Sequence, residues 1–288
     1  MCRLFGLSAA PHRVRATFWL LDAPDSLSIQ SRREPDGVGL GTFDAHGDAV
    51  VEKQPIAAYE DVQFAREARE RESTTFVAHI RYATTGGMQP RNTHPFEQHG
   101  RLFAHNGVLQ GLDELDAELG AYLGLVHGDT DSERFFALIT QRTDRHGGNI
   151  TAGITDAVQW IADRLPVYAL NLVLTTATSL WALRYPDTHD LFVLERAAGG
   201  PHGDRHLDHA GRTGIRARSG HLIEYPAVVV ASERTDEDPG WRALEPGELL
   251  HVDDGLRIHS STVLDTPPRH LLSLAQLDSR AAAAQSGR

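Results

Sequence analysis

The chain opens with MCRLFGLSA over residues 1–9, which puts its single cysteine directly after the initiator methionine. The mixture of apolar and small residues predicts a β-strand over residues 2–9. One cysteine excludes an internal disulfide, so no covalent bond explains a thiol at this position. If Met1 is removed, Cys2 becomes the first residue, and its free α-amine lies a few bonds from its own sulfur.

This arrangement can supply a nucleophile and its base from one residue. An α-amine has a pKa of roughly 7.7 to 8.0, so near neutral pH a fraction is unprotonated and can accept the thiol proton, directly or through a water. The alternative is an ordinary buried cysteine near a chain end. Taken alone, Cys2 favours that alternative. The choice between a nucleophile and a buried cysteine therefore depends on the motifs in the rest of the sequence.

Composition limits the classes of function. The 288 residues are 41% hydrophobic and 23% charged, enough for one sizeable core or two small ones. A formal net charge of -11 argues against non-specific binding to nucleic acid or to an anionic membrane. No apolar run approaches the roughly 20 residues that span a bilayer, and the N-terminus lacks the features of a signal peptide. We therefore expect a cytoplasmic protein.

The apolar patterning predicts strands first, then two helices, then strands again. The early segments are strands over 37–43, 49–52, 75–80 and 101–105, with a helix over 57–72. Helices over 132–141 and 154–165 follow, and then strands over 168–175, 180–185, 191–195, 221–231 and 248–252. This order predicts two sheets with helices packed against them.

Two further segments are predicted to lie outside this framework. Residues 196–220 are rich in Gly, His and Arg and predict a long mobile excursion. We expect no metal site at His202, His206 and His209, because no cysteine or carboxylate pair accompanies them at a suitable spacing. The small and polar residues over 276–288 predict a disordered tail.

Three short motifs carry residues suited to catalysis. In HIRYAT over 79–84, Arg81 can hold a carboxylate by two charge-assisted hydrogen bonds, or simply brace a loop. Asn106-Gly107, at the end of a predicted strand, indicates a hairpin turn, but it can also offer the Asn106 amide and the Gly107 N–H to an oxyanion. In GDTDSE over 128–133, one carboxylate can cap a helix while another binds an ammonium group.

Together these pieces resemble the class II glutamine amidotransferase domain, a family of the N-terminal-nucleophile hydrolases. Six elements occur in the family's order: MC with Gly6, PDGVG at 35–39, HIRYAT at 79–84, NTHPF at 92–96, HNG at 105–107 and TDSE at 130–133. The later ASER at 231–234 resembles the end of the domain in small stand-alone members. Some of those members hydrolyse γ-glutamyl conjugates, as in ergothioneine biosynthesis.

The resemblance implies an α+β fold, a four-layer αββα sandwich of the N-terminal-nucleophile hydrolase type, as a single domain over residues 2–275. It implies Cys2 as nucleophile and Asn106 and Gly107 as the oxyanion hole. Arg81 would hold the α-carboxylate of a glutamyl group and Asp131 its α-ammonium, because Asp131 rather than Asp129 occupies the family's T-D-[ST]-E pattern. The remaining substrate-binding candidates are Tyr82 and Thr84.

The implied chemistry is attack of the Cys2 thiolate on a γ-amide, with a γ-glutamyl thioester intermediate and no metal or organic cofactor. We expect no synthetase, isomerase or transferase domain like the one that follows the glutaminase in larger members. Three functions stay open. They are a stand-alone hydrolase of glutamine or a small γ-glutamyl metabolite, a glutaminase subunit that delivers ammonia to a separate synthetase, and a catalytically silent scaffold. An exposed apolar patch around the tunnel exit would favour the second. The expected ligand is a small γ-glutamyl molecule, and a protein partner, if there is one, is a separate synthetase or a second copy of the chain.

Overall fold

Two antiparallel sheets lie face to face, and helices cover their outer faces. The computed structural model describes residues 2–33, 36–81, 87, 89–199, 209–210, 216–217 and 224–286. Its strands are β1 (Arg3–Ser8), β2 (Gly37–Phe43), β3 (Ala49–Gln54), β4 (Thr75–Arg81), β5 (Phe96–Gln98), β6 (Arg101–Leu109), β7 (Pro166–Thr175), β8 (Leu180–Leu183), β9 (Phe192–Arg196), β10 (His209–Ala210), β11 (Arg216–Ala217), β12 (Ala227–Ala231), β13 (Arg242–Ala243), β14 (Glu248–Val252), β15 (Ile258–Thr262) and β16 (His270–Leu271).

The first sheet has the order β13-β9-β12-β1-β4-β2-β3, and the second has the order β15-β14-β8-β7-β6-β5 with β16 added in parallel to β7. Strands β10 and β11 form a separate two-stranded sheet. The α-helices are α1 (Leu27–Gln30), α2 (Val62–Glu70), α3 (Leu112–Leu119), α4 (Asp131–Arg145), α5 (Ile150–Arg164) and α6 (Ser279–Gln285). No helix in the described ranges is both long and apolar enough to cross a membrane.

Three apolar clusters separate four layers. Phe5 and Leu7 of β1 pack with Phe64 of α2 on the outer face of the first sheet. Leu4, which precedes Phe5 on β1, packs instead with Ala104 of the second sheet, in the layer between the sheets. A third cluster joins the outer face of the second sheet to α4 and α5. Alternation along each strand thus fills both faces, and the four-layer αββα sandwich implied by the resemblance is confirmed.

Helix α4 carries the TDSE motif to the edge of the second sheet. Thr130 is its N-cap, and the Thr130 hydroxyl accepts a hydrogen bond from the backbone N–H of Glu133 at 3.2 Å. Asp131 and Glu133 lie in the first turn, where acidic side chains interact favourably with the helix dipole. Phe136 stacks on Phe103 of β6 with ring centroids 4.8 Å apart. Capping and aromatic packing therefore fix the start of α4 against β6.

The Asn106-Gly107 pair does not form the predicted turn. Strand β6 continues through both residues to Leu109, with Asn106 opposite Asn171 and Gly107 opposite Leu170 of β7. Pairing with β7 along its length supplies the backbone hydrogen bonds that a turn would otherwise have to replace, so tertiary contacts override the local preference. The pair consequently lies inside the sheet rather than at its rim.

The predicted disordered tail over 276–288 was wrong for the part that the structure describes. Residues 279–285 form α6, whose N-cap Asp278 accepts hydrogen bonds from the N–H groups of Arg280 and Ala281. Ala281 is buried in a small cluster with Val108 of β6 and Ala169 of β7. Alanine is both a strong helix former and small enough to let a helix approach a sheet closely. The alanine-rich segment therefore forms a helix that packs on the sheet, although it has no large apolar residue to predict this. The predicted excursion over 196–220 lies largely outside the described residues, as do His202 and His206.

Candidate active site

Strand alternation directs three of the predicted site residues into the layer between the sheets. Leu4 of β1, Val77 of β4 and Ala104 of β6 lie in that layer. Residues two or four positions away on the same strand share the same face. The β1–β4 register pairs Arg3 with Ile80, so residue 2 lies next to residue 81 at the strand ends. The residues brought together in this way are Cys2, Arg81 and Asn106.

A hydrogen bond across the two sheets joins Cys2 to the predicted oxyanion hole. The Asn106 Nδ2 donates to the Cys2 carbonyl oxygen at 2.9 Å, and both residues are buried. An amide nitrogen carries two N–H bonds, so one of them stays available to another acceptor. The Asn106 Oδ1 has no hydrogen-bond partner among the described residues. This contact fixes the amide of Asn106 beside the nucleophile candidate.

Only glycine fits at position 107. A Cβ built there would lie 1.8 Å from the Ala169 carbonyl oxygen and 2.6 Å from Nε2 of His105. Both distances are far below van der Waals contact, and the neighbouring atoms belong to the backbone and to a packed ring. Gly107 therefore allows the close approach of β6 and β7 directly beside Asn106.

Arg81 is the last residue of β4 and is buried. Its Nη1 donates to the Gly87 carbonyl oxygen at 3.2 Å. Burial lowers the pKa of Arg81, while the charges of Cys2, Asp36 and Asp131 raise it, and Arg280 of α6 lowers it further. The guanidinium thus lies within electrostatic range of the other site residues. Tyr82 and Thr84, the neighbouring substrate-binding candidates, lie outside the described residues.

Asp131 is held by backbone donors and is buried. Its Oδ2 accepts from the N–H of Leu109 and its Oδ1 from the N–H of Ser132, both at 2.9 Å. Leu109 lies where the register of β6 on β7 shifts, which turns its N–H away from the regular ladder. A carboxylate offers about four acceptor positions, so each oxygen retains capacity for a cationic ligand.

The nearby Asp129 has a different environment. Its side chain is 55% exposed and is bound by Arg91 at 3.3 Å and by the Asn92 amide at 3.1 Å. These contacts tie Asp129 to the loop that carries NTHPF. Of the two aspartates, Asp131 is therefore the one directed toward the buried end of the sandwich.

His105 and Ser132 are buried site neighbours that the sequence did not single out. The Nδ1 of His105 lies 3.0 Å from the Ser132 hydroxyl, and its Nε2 lies 3.2 Å from the Ala169 carbonyl oxygen. Burial lowers the pKa of His105, while the charge of Asp131 raises it. The available signal was alternation, since the residue before Asn106 must face the opposite side of β6, toward α4.

Two further buried histidines lie behind Arg81. The rings of His79 and His94 have centroids 4.2 Å apart. Burial, with smaller contributions from Arg81 and His105, lowers the pKa of His79 to about 3. Burial and the neighbouring histidines also hold the pKa of His94 well below its usual range. Both rings are therefore neutral at physiological pH and contribute packing rather than charge.

The ASER segment at 231–234 anchors β1 beside Cys2. The Ser232 hydroxyl accepts from the N–H of Leu4 at 2.9 Å, and the N–H of Ser232 donates to the Leu4 carbonyl at 3.0 Å. Glu233 forms an ion pair with the buried Arg3 at 2.6 Å. The residue that follows Cys2 is thus fixed on the side opposite to Asn106.

This geometry agrees with the comparisons with known proteins. The sequence model of the class II glutamine amidotransferases matches residues 1–274. The chain belongs to this family. It is accordingly an enzyme of the amide-hydrolysing type, and α6 lies beyond the residues that the family model matches.

Two curated relatives differ in length from this chain. An uncharacterized protein of Methanocaldococcus jannaschii is 30% identical over 245 residues, covering 82% of this chain and 66% of that protein. The γ-glutamyl-hercynylcysteine sulfoxide hydrolase of Mycolicibacterium smegmatis is 28% identical over 264 residues, covering 88% of this chain and 96% of that protein. The chain therefore spans nearly the whole of the second relative but about two thirds of the first.

Solved structures share the fold at low sequence identity. The glutamine phosphoribosylpyrophosphate amidotransferase of B. subtilis superposes with a TM-score of 0.63 at 21% identity, covering 92% of this chain and 50% of that one. A class II glutamine aminotransferase domain protein from Silicibacter pomeroyi gives a TM-score of 0.59 at 16% identity, covering 91% and 99%. The sandwich is thus common to one protein of similar length and to one twice as long.

Proposed function

We propose that this chain is a cysteine-dependent amidohydrolase that cleaves the γ-amide of glutamine or of a γ-glutamyl metabolite through a γ-glutamyl thioester. The observation that carries the proposal is the hydrogen bond from the Asn106 amide to the Cys2 carbonyl, with Arg81 and Asp131 at the same end of the sandwich. The near full-length match to a γ-glutamyl conjugate hydrolase supports a substrate of this class.

Recognition of the glutamyl group uses its two charges. The guanidinium of Arg81 binds the α-carboxylate through parallel hydrogen bonds. The carboxylate of Asp131, held from behind by the Leu109 and Ser132 N–H groups, binds the α-ammonium. Because both protein charges are buried, water screens these contacts less than it would at the surface. The γ-carbonyl is then directed toward Cys2.

The first half of the reaction forms the thioester. After removal of Met1, the α-amine of Cys2 takes the thiol proton, and the sulfur forms a bond to the γ-carbonyl carbon. The remaining amide N–H of Asn106 and the N–H of Gly107 stabilise the negative charge on the oxygen. As the C–N bond breaks, the protonated amine of Cys2 gives its proton to the departing amine.

The second half releases glutamate. The Cys2 amine takes a proton from a water whose oxygen attacks the thioester carbon. The C–S bond breaks, and the thiolate regains a proton from the same amine. All proton transfers run through one residue, so the cycle regenerates the enzyme without a further reactant.

The test is glutamate release from glutamine and from a panel of γ-glutamyl amides, with the wild type, Cys2→Ala and Cys2→Ser. We expect turnover by the wild type, none by Cys2→Ala and little by Cys2→Ser, because an alcohol is much harder to deprotonate than a thiol with a pKa of about 8.5. A diazoketone analogue of glutamine should label the protein once, and excess glutamate should slow the labelling. Equal labelling with and without glutamate, in a protein that hydrolyses no γ-glutamyl amide, would refute the proposal and favour a silent scaffold.

The same assay separates the hydrolase from an ammonia-delivering subunit. A hydrolase of γ-glutamyl conjugates should turn over at least one substituted amide faster than glutamine. A glutaminase subunit should prefer glutamine, with a rate that rises when its synthetase is added.

A further inference from the structure

Strand β6 presents two successive residues to opposite sides of the sheet. Asn106 faces the layer between the sheets and contacts Cys2, whereas His105 faces α4 and contacts Ser132. Ser132 directly follows Asp131 at the start of α4. The contact between His105 and Ser132 therefore links the strand of the proposed oxyanion hole to the helix that carries the ammonium-binding candidate.

The direction of the hydrogen bonds follows from the acceptors. The Ala169 carbonyl oxygen can only accept, so Nε2 of His105, at 3.2 Å, must carry the ring proton. In the neutral ring Nδ1 is then an acceptor, and the Ser132 hydroxyl, at 3.0 Å, donates to it. The same hydroxyl lies 3.4 Å from Oδ1 of Asp131 but has only one proton to give. Oδ1 of Asp131 accepts from the Ser132 N–H and thus keeps its remaining acceptor capacity for a ligand.

We propose that His105 and Ser132 are positioning residues, which form a neutral hydrogen-bonded bridge from α4 to β7 and thereby hold Asn106 and Gly107 in place for the oxyanion. The proposal rests on the proposed function, because it assigns a role within that site. Ala169 also limits Gly107, since a Cβ at position 107 would meet its carbonyl oxygen. One carbonyl therefore fixes both the ring of His105 and the backbone that follows it.

Loss of the bridge should lower kcat, which depends on stabilisation of the transition state, more than it raises KM for the substrate. In Ser132→Ala the Nδ1 of His105 becomes a buried acceptor without a donor, and the ring can find a new partner only by turning away from Ala169. Such a turn displaces the residue next to Asn106. Asp131 keeps both of its backbone donors, Leu109 and residue 132, so the glutamyl charges remain matched.

The experiment compares Ser132→Ala with Ser132→Thr, which keeps the hydroxyl and fits the T-D-[ST]-E pattern. The matched control is Thr140→Val, which removes another buried hydroxyl of α4, eight residues further along the helix. The Thr140 hydroxyl donates to the side-chain oxygen of Gln98 at 2.7 Å. We expect kcat for a γ-glutamyl amide to fall at least about 10-fold in Ser132→Ala with KM within about 2-fold. Ser132→Thr and Thr140→Val should keep kcat within about 2-fold.

A second measurement reads the bridge without catalysis. The ¹⁵N chemical shifts of the histidine rings report which ring nitrogen carries the proton, and the His105 signals are assigned by their loss in His105→Gln. We expect the Nε2–H tautomer of His105 in the wild type and in Thr140→Val. In Ser132→Ala the ¹⁵N shifts of His105 should change, because Nδ1 loses its hydrogen-bond donor. An unchanged kcat or an unchanged ring signal in Ser132→Ala, or an equal loss of kcat in Thr140→Val, would overturn the proposal. A wild type without any γ-glutamyl hydrolysis would instead refute the proposed function, while the ring signal would still test the bridge.

Discussion

Replacement of Asp131 by Asn tests the assignment of the α-ammonium site most directly. The change removes one negative charge from a buried group whose two oxygens accept from Leu109 and Ser132 at 2.9 Å. A hydrogen bond to a charged group contributes about 1.5–3 kcal/mol. Since about 1.4 kcal/mol corresponds to a factor of ten, kcat/KM for glutamine should fall roughly 10- to 150-fold.

The substrate offers the matching deletion. Glutaramate keeps the carboxylate and the γ-amide of glutamine but lacks the α-ammonium. The wild type should prefer glutamine to glutaramate by the same factor, and Asp131→Asn should lose most of that preference. Kinetics with both substrates form a double-mutant cycle, in which the coupling energy isolates the contact between carboxylate and ammonium.

The control is Asp129→Asn, which changes the same residue type two positions earlier on an exposed side chain. It should leave the preference for glutamine unchanged. Asp131→Asn also gives one backbone donor a poor partner, so its folding is checked by circular dichroism before the kinetics. A folded Asp131→Asn that retains the full preference for glutamine, or a loss of preference in Asp129→Asn, would refute the assignment.

Three further predictions concern processing, acid stability and α6. The intact mass of active protein should correspond to a chain that begins at Cys2, and full activity in protein that retains Met1 would show that the α-amine is not the base. Between about pH 6.5 and pH 3, His79 is protonated in the unfolded state but neutral in the folded protein, because burial lowers its pKa to about 3. The free energy of unfolding should therefore decrease as the pH falls through this range, by up to about 1.4 kcal/mol per pH unit. Urea titrations of His79→Gln should show a smaller decrease per pH unit. Truncation after Leu277 removes α6 and exposes Val108 and Ala169, so the thermal midpoint should drop by roughly 2–4 °C for each kcal/mol of packing lost, whereas truncation after Ser286 should leave it unchanged.

The sequence by itself determined the strands that frame the candidate site and supplied the residues proposed for it. β4 and β7 are short runs of mostly apolar residues, and β2 alternates glycine with larger residues, so each is recognisable as a strand from its own sequence. Thr130 in front of the acidic first turn encodes the start of α4 through local hydrogen bonds. Cys2, Arg81, Asn106 and Asp131 could be named from motifs because their residue types match a specific chemistry.

Only the tertiary structure decided how these pieces meet. The Asn106-Gly107 pair is a turn signal in isolation, and pairing with Asn171 and Leu170 of a strand some sixty residues away makes it part of a sheet. The same holds for protonation, since burial lowers the pKa of His105, and Ser132 and Ala169 determine which ring nitrogen carries the proton. The position of α6 is decided in the same way, because its buried Ala281 packs against Val108 and Ala169, which are distant in the chain. Local propensity acts over a few residues, whereas burial and hydrogen-bond partners are set by residues distant in the chain.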